Sequence, residues 1–169
     1  AETIKSLHGR RKTNLYLKRK LWGKEWNTLT LPFDIEVGTL ASYGGGNVSM
    51  QAQELQSVST DDNGALTLTF ADVTELKAGY PYLVKPTADC ETFDLSNAWL
   101  DIKAEANIVT QSYGTNEVSM IPYYVPTVLV AGDYFLMGDK FYVVAEGMTV
   151  PSLGMRARFT ANAAASEAL

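Results

Sequence analysis

Along most of its length the chain alternates apolar and polar residues one by one, with breaks at glycines, prolines and acidic turns. A period of two sends successive side chains to opposite faces of a strand, whereas a helix needs a period near 3.6. The pattern is sharpest over residues 26–33, WNTLTLPF. Here Leu29, Leu31 and Phe33 are expected on one buried face, with Trp26, Thr28 and Thr30 on the other. Pro32 has no N–H to donate, so it marks an edge or the strand's end. Residues 13–21 place Leu15, Leu17 and Leu21 opposite Tyr16, Lys18 and Lys20. With Gly23 and Lys24 as a turn between them, the two segments are expected to pair as a hairpin.

Downstream, the same period marks residues 48–58, where Val48, Met50 and Ala52 oppose Ser49, Gln51 and Gln53. Over residues 65–70, Leu66, Leu68 and Phe70 point inward and Thr67 and Thr69 outward. Between them, Asp61, Asp62, Asn63 and Gly64 read as a hairpin turn, Asn-Gly being the favoured type I′ pair. The spaced oxygens and distal glutamate of a calcium loop are missing. Ala78 and Gly79 turn the chain into a strand over residues 80–85, which Pro86 stops. Further strands are expected over residues 93–102, 118–121, 125–130 and 155–160. Residues 134–137 and 140–144 should pair across Gly138 and Asp139, with Phe135 facing Tyr142. Residues 34–47 contain Gly38 and glycines at 44–46 and read as a loop. No Lys-Ser or Lys-Thr follows, so these glycines are not a phosphate cradle. About nine or ten short strands and no amphipathic helix predict an all-β fold, an antiparallel β-sandwich or jelly-roll-like barrel.

A length of 169 residues fits one domain, set at residues 13–160 between a basic leader, 1–12, and an alanine-rich tail, 161–169. With 46% hydrophobic and 20% charged residues the chain is neither disordered nor fibrous, and no apolar run is long enough for membrane insertion as a helix. Residues 1–12 lack the apolar centre of a secretion signal, which leaves a cytosolic protein or a mature piece of an exported one. The single cysteine, Cys90, excludes an internal disulfide. The single histidine, His8, excludes multi-histidine zinc sites and leaves any triad dependent on one leader residue. No cofactor or metal is expected. Charge is uneven: residues 1–24 hold eight Lys or Arg against one Glu, and the remainder six against eighteen acids. The two parts should attract each other. Arg10, Arg11, Lys12, Lys18, Arg19 and Lys20 could form a nucleic-acid or membrane patch, but with a pI of about 4.9 Lys18 and Lys20 read instead as the solvated face of a strand that offsets an acidic body. No nucleic-acid partner is expected.

Five pieces in order carry a resemblance: WNTLTLPF after a basic leucine-rich segment, LTLTF at 66–70, AGYPYLVK at 78–85, GDYFL at 132–136 and RARF at 156–159. Together they resemble an all-β module of exported cell-surface proteins of gut and oral Bacteroidetes, mostly of unassigned function. The chain departs from that family at Thr30, where cysteine is common, at Arg158, where an aromatic residue is usual, and at Ile121, Pro122 and Tyr123, where Phe and Gly usually precede the tyrosine. The resemblance implies an extracellular or cell-surface location, attachment through other domains of a longer protein, and no catalytic residues to carry over. Two functions follow as expectations. One is a non-catalytic module for adhesion, display or spacing, with a surface protein as partner. The alternative is a carbohydrate-binding module, because nine Tyr and three Trp supply rings on which a glycan stacks. Trp99, Tyr113, Tyr123 and Tyr124 lie in loop-like or ambiguous segments and form its candidate platform. An enzyme is not expected. A glycosidase needs two carboxylates about 5–9.5 Å apart, and nothing selects a pair such as Glu75 and Asp94 among nineteen acids.

Overall fold

The computed structural model describes residues 11–12, 15–96, 98–162 and 164–165. In chain order the elements are β1 (Arg11–Lys12), β2 (Leu15–Leu17), β3 (Asn27–Leu29), β4 (Ile35–Glu36), α1 (Val37–Ser42), β5 (Met50–Thr60), β6 (Leu66–Val73), β7 (Glu75–Leu76), β8 (Tyr82–Pro86) and β9 (Phe93–Leu95). There follow β10 (Leu100–Asp101), β11 (Val109–Tyr113), β12 (Asn116–Tyr123), β13 (Thr127–Val130), β14 (Tyr134–Met137), β15 (Lys140–Val143), β16 (Thr149–Ser152) and β17 (Arg156–Ala161). The fold is all-β. Two larger antiparallel sheets, ordered β3-β8-β5-β6 and β11-β12-β17-β14-β15, are joined by two-stranded ribbons. The strands are shorter and more numerous than the nine or ten expected, and they are distributed over separate sheets.

Alternation along the four-stranded sheet sends its side chains to two different apolar clusters. Ala52, Tyr82 and Val84 pack with Leu21, Phe33, Leu40 and Phe93, while Leu55, Val58 and Leu83 pack with Met120, Ala157 and Phe159 of the five-stranded sheet. Leu55 and Val58 are three residues apart and would face opposite ways in a regular strand. A register shift between Leu55 and Ser57 lets both face the second cluster.

Residues 26–33 are not the one-sided strand that the pattern predicts. Only Asn27–Leu29 pair, with β8, and residues 27–33 are buried throughout, threonines included. The cause is β17. Thr28 Oγ1 accepts from Ala157 N at 3.2 Å, Thr30 Oγ1 donates to Arg156 O at 3.2 Å, and Thr30 N donates to Met155 O at 3.2 Å. The hydroxyls pair backbone groups that an apolar side chain would leave orphaned. Nor do β2 and β3 form a hairpin, since β2 pairs with β9.

Other expectations shift similarly. Residues 34–47 are not all loop: α1 buries Val37, Leu40 and Ala41 at helical spacing. The β5–β6 turn holds three residues rather than two, because Asp61 N donates to Ala65 O at 2.9 Å and Asp61 Oδ1 accepts from the N–H groups of Asn63 and Ala65. Within it only Gly64 has positive φ, so it is not type I′. The β14–β15 turn does have positive φ at both Gly138 (57°) and Asp139 (64°), and Phe135 stacks on Tyr142 at 5.6 Å. The 93–102 strand splits into β9 and β10. Residues 11–12 of the expected leader pair with β10, and tail residue Ala165 is buried in the second cluster. Residues 1–10, including Arg10 and His8, and tail residues 166–169 lie outside the described residues. Lys18 is exposed and Lys20 pairs with Asp89 and Glu91, so basic and acidic parts do meet, while Arg19 between them is buried. Among the described residues no helix is long and apolar enough to cross a membrane.

Candidate functional site

The chemistry of the molecule gathers on the outer face of the five-stranded sheet. Along β17, Ala157 and Phe159 are buried in the second cluster, so Arg156 and Arg158 project to the opposite face. The antiparallel register sets Arg156 against Tyr123 and Arg158 against Ile121 of β12. A tight turn fixes that register. A Cβ on Gly154 would lie 2.1 Å from Tyr124 O, so no other residue fits there, and Met155, at φ 57°, donates its N–H back to Tyr124 O at 3.2 Å.

Arg19 reaches the same place from the segment between β2 and β3. It is only 4% exposed, and its guanidinium donates to Met155 O at 3.3 Å, to Thr28 O at 2.5 Å and to Lys20 O. Burial, and then the neighbouring Arg156, push its pKa down to about 9, which still leaves a cation at neutral pH. Burial also lowers Arg156, whose guanidinium makes no hydrogen bond or ion pair among the described residues, although its carbonyl accepts from Thr30 Oγ1. Arg158 Nη1 lies 3.8 Å from Asp133 Oδ1, and its Nε is buried without a partner. Asp133 Oδ2 in turn accepts from Val130 N at 2.9 Å. The Tyr123 hydroxyl lies 2.5 Å from Ser152 Oγ, and burial raises its pKa against the opposing pull of Ser152 and of all three guanidinium groups.

These groups border a cavity of about 280 Å³, whose walls include Arg19, Trp22, Trp26, Tyr123, Ser152 and Arg156. Phe135 and the half-buried Glu25 complete the lining that bears on chemistry. Lys20 Nζ sits 4.6 Å over the Trp22 ring and Lys85 Nζ 5.6 Å over the Trp26 ring. Trp26 is tied further by its backbone N–H, which donates to Asp139 Oδ1 at 2.6 Å. The cavity therefore offers flat rings, hydroxyls and cationic donors in one place. Its volume lies near the lower end of small-molecule sites, about 300 Å³, the scale of a single sugar ring.

Of the four tyrosine and tryptophan residues nominated from sequence, Tyr123 alone lines this cavity. Tyr124 is half-buried, its hydroxyl donates to Glu105 O at 3.1 Å, and burial pushes its pKa up to about 12. Tyr113 is exposed at the β11–β12 turn, and Trp99, 72% exposed, lies just ahead of β10. Among the described residues no ring contact joins any two of the four. Sequence reasoning missed Arg19, Trp22, Ser152 and Arg156. A signal was present for Arg19, which falls on the inward parity of Leu15, Leu17 and Leu21 and so breaks an apolar row with a charge. Among the described residues no group of three or more His, Cys, Asp or Glu could hold a metal ion. No family model, curated protein or solved structure matches this chain.

Proposed function

We propose that this chain is a non-catalytic carbohydrate-binding module of a bacterial cell-surface or secreted protein, with the cavity beside Tyr123 as its sugar site. The observation that carries the reading is the convergence of Trp22, Trp26, Phe135 and Tyr123 with the hydroxyl of Ser152 and two guanidinium groups around one cavity. Sugars are held by rings under their C–H faces and by paired donors and acceptors on their hydroxyls. The surface location rests on the resemblance in the sequence. A β-sandwich architecture for the module is supported by the second apolar cluster, which draws side chains from both larger sheets.

A glycan array of neutral and acidic sugars tests the reading. Saturable binding is expected, reduced at least tenfold by Trp26→Ala and unaffected by Trp99→Ala or Tyr113→Ala. Loss in the latter pair instead would move the site to the exposed rings, and a blank array with folded protein would remove the reading. A second reading, adhesion to a protein surface or to another domain of a longer chain, is favoured by apolar side chains that residues 125–153 leave exposed, among them Val128, Val130, Phe141 and Val143.

A further inference from the structure

We infer that the sugar taken by this cavity carries a carboxylate, as a hexuronic acid does, and that the carboxylate lies between Arg19 and Arg156 beside the Tyr123 hydroxyl. The inference rests on the carbohydrate-binding reading and narrows it to an acidic ligand.

The argument begins with charge. The whole chain has a formal net charge of −5, with nineteen acids available to neutralise fourteen cations. Burying a cation without an anion is unfavourable, because solvation is lost and no Coulomb attraction replaces it. Yet three guanidinium groups act on Tyr123, and among the described residues only Arg158 of the three faces a carboxylate, at 3.8 Å. Glu25 lines the same cavity, but no ion pair joins it to Arg19 or Arg156 among the described residues.

Donor counting separates a structural role from a binding one. A guanidinium has five N–H groups. Arg19 directs three toward the carbonyls of Lys20, Thr28 and Met155, which explains why it is held rigidly and leaves two donors over. Among the described residues Arg156 directs none toward the protein: its side chain is half-buried, and its guanidinium donors stay open on the cavity side. A staple between strands accounts for the first residue and leaves the second without a role. The two groups are close enough that Arg156 opposes the charge on Arg19. An anion between them removes that repulsion, and a planar carboxylate matches the guanidinium fork in a way that a hydroxyl does not. Ser152 Oγ donates to Leu153 O at 3.3 Å and lies 2.5 Å from the Tyr123 hydroxyl, so this pair has its protons engaged and offers acceptor lone pairs to a neighbouring sugar hydroxyl, leaving the anion to the guanidinium groups. The tryptophan side of the cavity then receives the ring.

The test is calorimetric titration of the whole chain with methyl glucuronide, methyl glucoside and glucose 6-sulfate, repeated with Arg156→Gln and Arg156→Lys. Expected is binding of the glucuronide at least tenfold tighter than the glucoside, weakening with added salt, lost at least tenfold in R156Q and partly restored in R156K. Equal affinity for glucuronide and glucoside, with R156Q unchanged, would overturn the carboxylate inference while leaving the carbohydrate-binding reading standing. Preference for the sulfate over the carboxylate would overturn it too. No binding of any sugar by folded protein would remove both. Should R156Q fail to fold, the salt dependence and the glucuronide-to-glucoside ratio of the unaltered chain decide alone.

Discussion

Two interiors of this molecule are closed to similar degrees and built on opposite principles. Under the four-stranded sheet, Leu21, Leu29, Phe33, Leu40, Phe93 and Leu95 are essentially inaccessible and touch other apolar side chains. On the outer face of the five-stranded sheet, Arg19 is almost as inaccessible, but it touches carbonyl oxygens and lies in the fields of a phenol and of another guanidinium. The first interior is stabilised by removing apolar area from water. The second keeps charge out of water with too few counter-charges, so it contributes little to stability and has unmet capacity to bind. Burial alone therefore does not tell a core from a site; the accounting of donors and charges does.

The largest expected effect breaks the first interior. Phe33→Ala opens a void where no neighbour can collapse freely and should cost about 3–5 kcal/mol, measured as a lower midpoint in urea unfolding. Arg156→Leu, at the second region, should change stability by less than about 1 kcal/mol, since it removes a half-buried charge whose guanidinium has no partner among the described residues. If R156L proved as damaging as F33A, the contrast between the two regions would fail. Arg19→Met falls between them. It relieves desolvation but takes a donor from the carbonyls of Lys20, Thr28 and Met155, the last of which keeps Thr30 N, for a net loss of about 1–3 kcal/mol.

The two regions also differ in how much of them could be read in the sequence. Strands of the apolar layers were legible wherever one face is apolar and the other wet, as at Leu66, Leu68 and Phe70, which pack against the cluster between the two larger sheets. The Gly138–Asp139 turn and the Phe135–Tyr142 pair were legible because a two-residue loop fixes its own register. Legibility failed where both faces are buried. The threonines of WNTLTLPF look solvent-facing in a period of two, and only the backbone of β17, more than a hundred residues away, makes them interior. It failed also for α1, whose six residues are fewer than two turns and carry Gly38. The site was hidden for a related reason. Arg156 and Arg158 alternate with Ala157 and Phe159 as any half-exposed strand would, and nothing local says that their wet face is roofed by the β13–β16 ribbon. Tyr123 was nominated for lying in an ambiguous segment, which is not the reason it lines the cavity.

A smaller effect tests how the cavity wall is held. Asp139 sits at φ 64° and accepts the Trp26 N–H at 2.6 Å. Asp139→Ala should cost about 2 kcal/mol, the sum of a left-handed alanine and a lost charged hydrogen bond. Asp139→Gly removes only the second and should cost about 1 kcal/mol, and Asp139→Asn less again. Thermal unfolding orders the three, and an equal loss in all would show that Trp26 does not depend on this turn.

The smallest effect is a divergence with pH between stability and binding. Burial and Arg156 hold Arg19 at about 9 in the folded chain, well below the ordinary value of the free side chain. Between those values the unfolded chain binds more protons than the folded one, so the Arg19 contribution to stability rises with pH across that window. Affinity for a carboxylate must do the reverse, because the deprotonated guanidinium no longer attracts it. Glucuronide affinity should be flat from pH 6 to 8 and fall up to about tenfold per unit above pH 9, roughly 1.4 kcal/mol for each unit. Arg156 and Tyr123 act on the same charge, so the quantity to measure is the difference between the unaltered chain and Arg19→Met. That variant should show the residual pH dependence of the others and lack the break near 9. A break that survives in R19M belongs to another group, and Arg19 would then be a staple between strands with no part in holding the ligand.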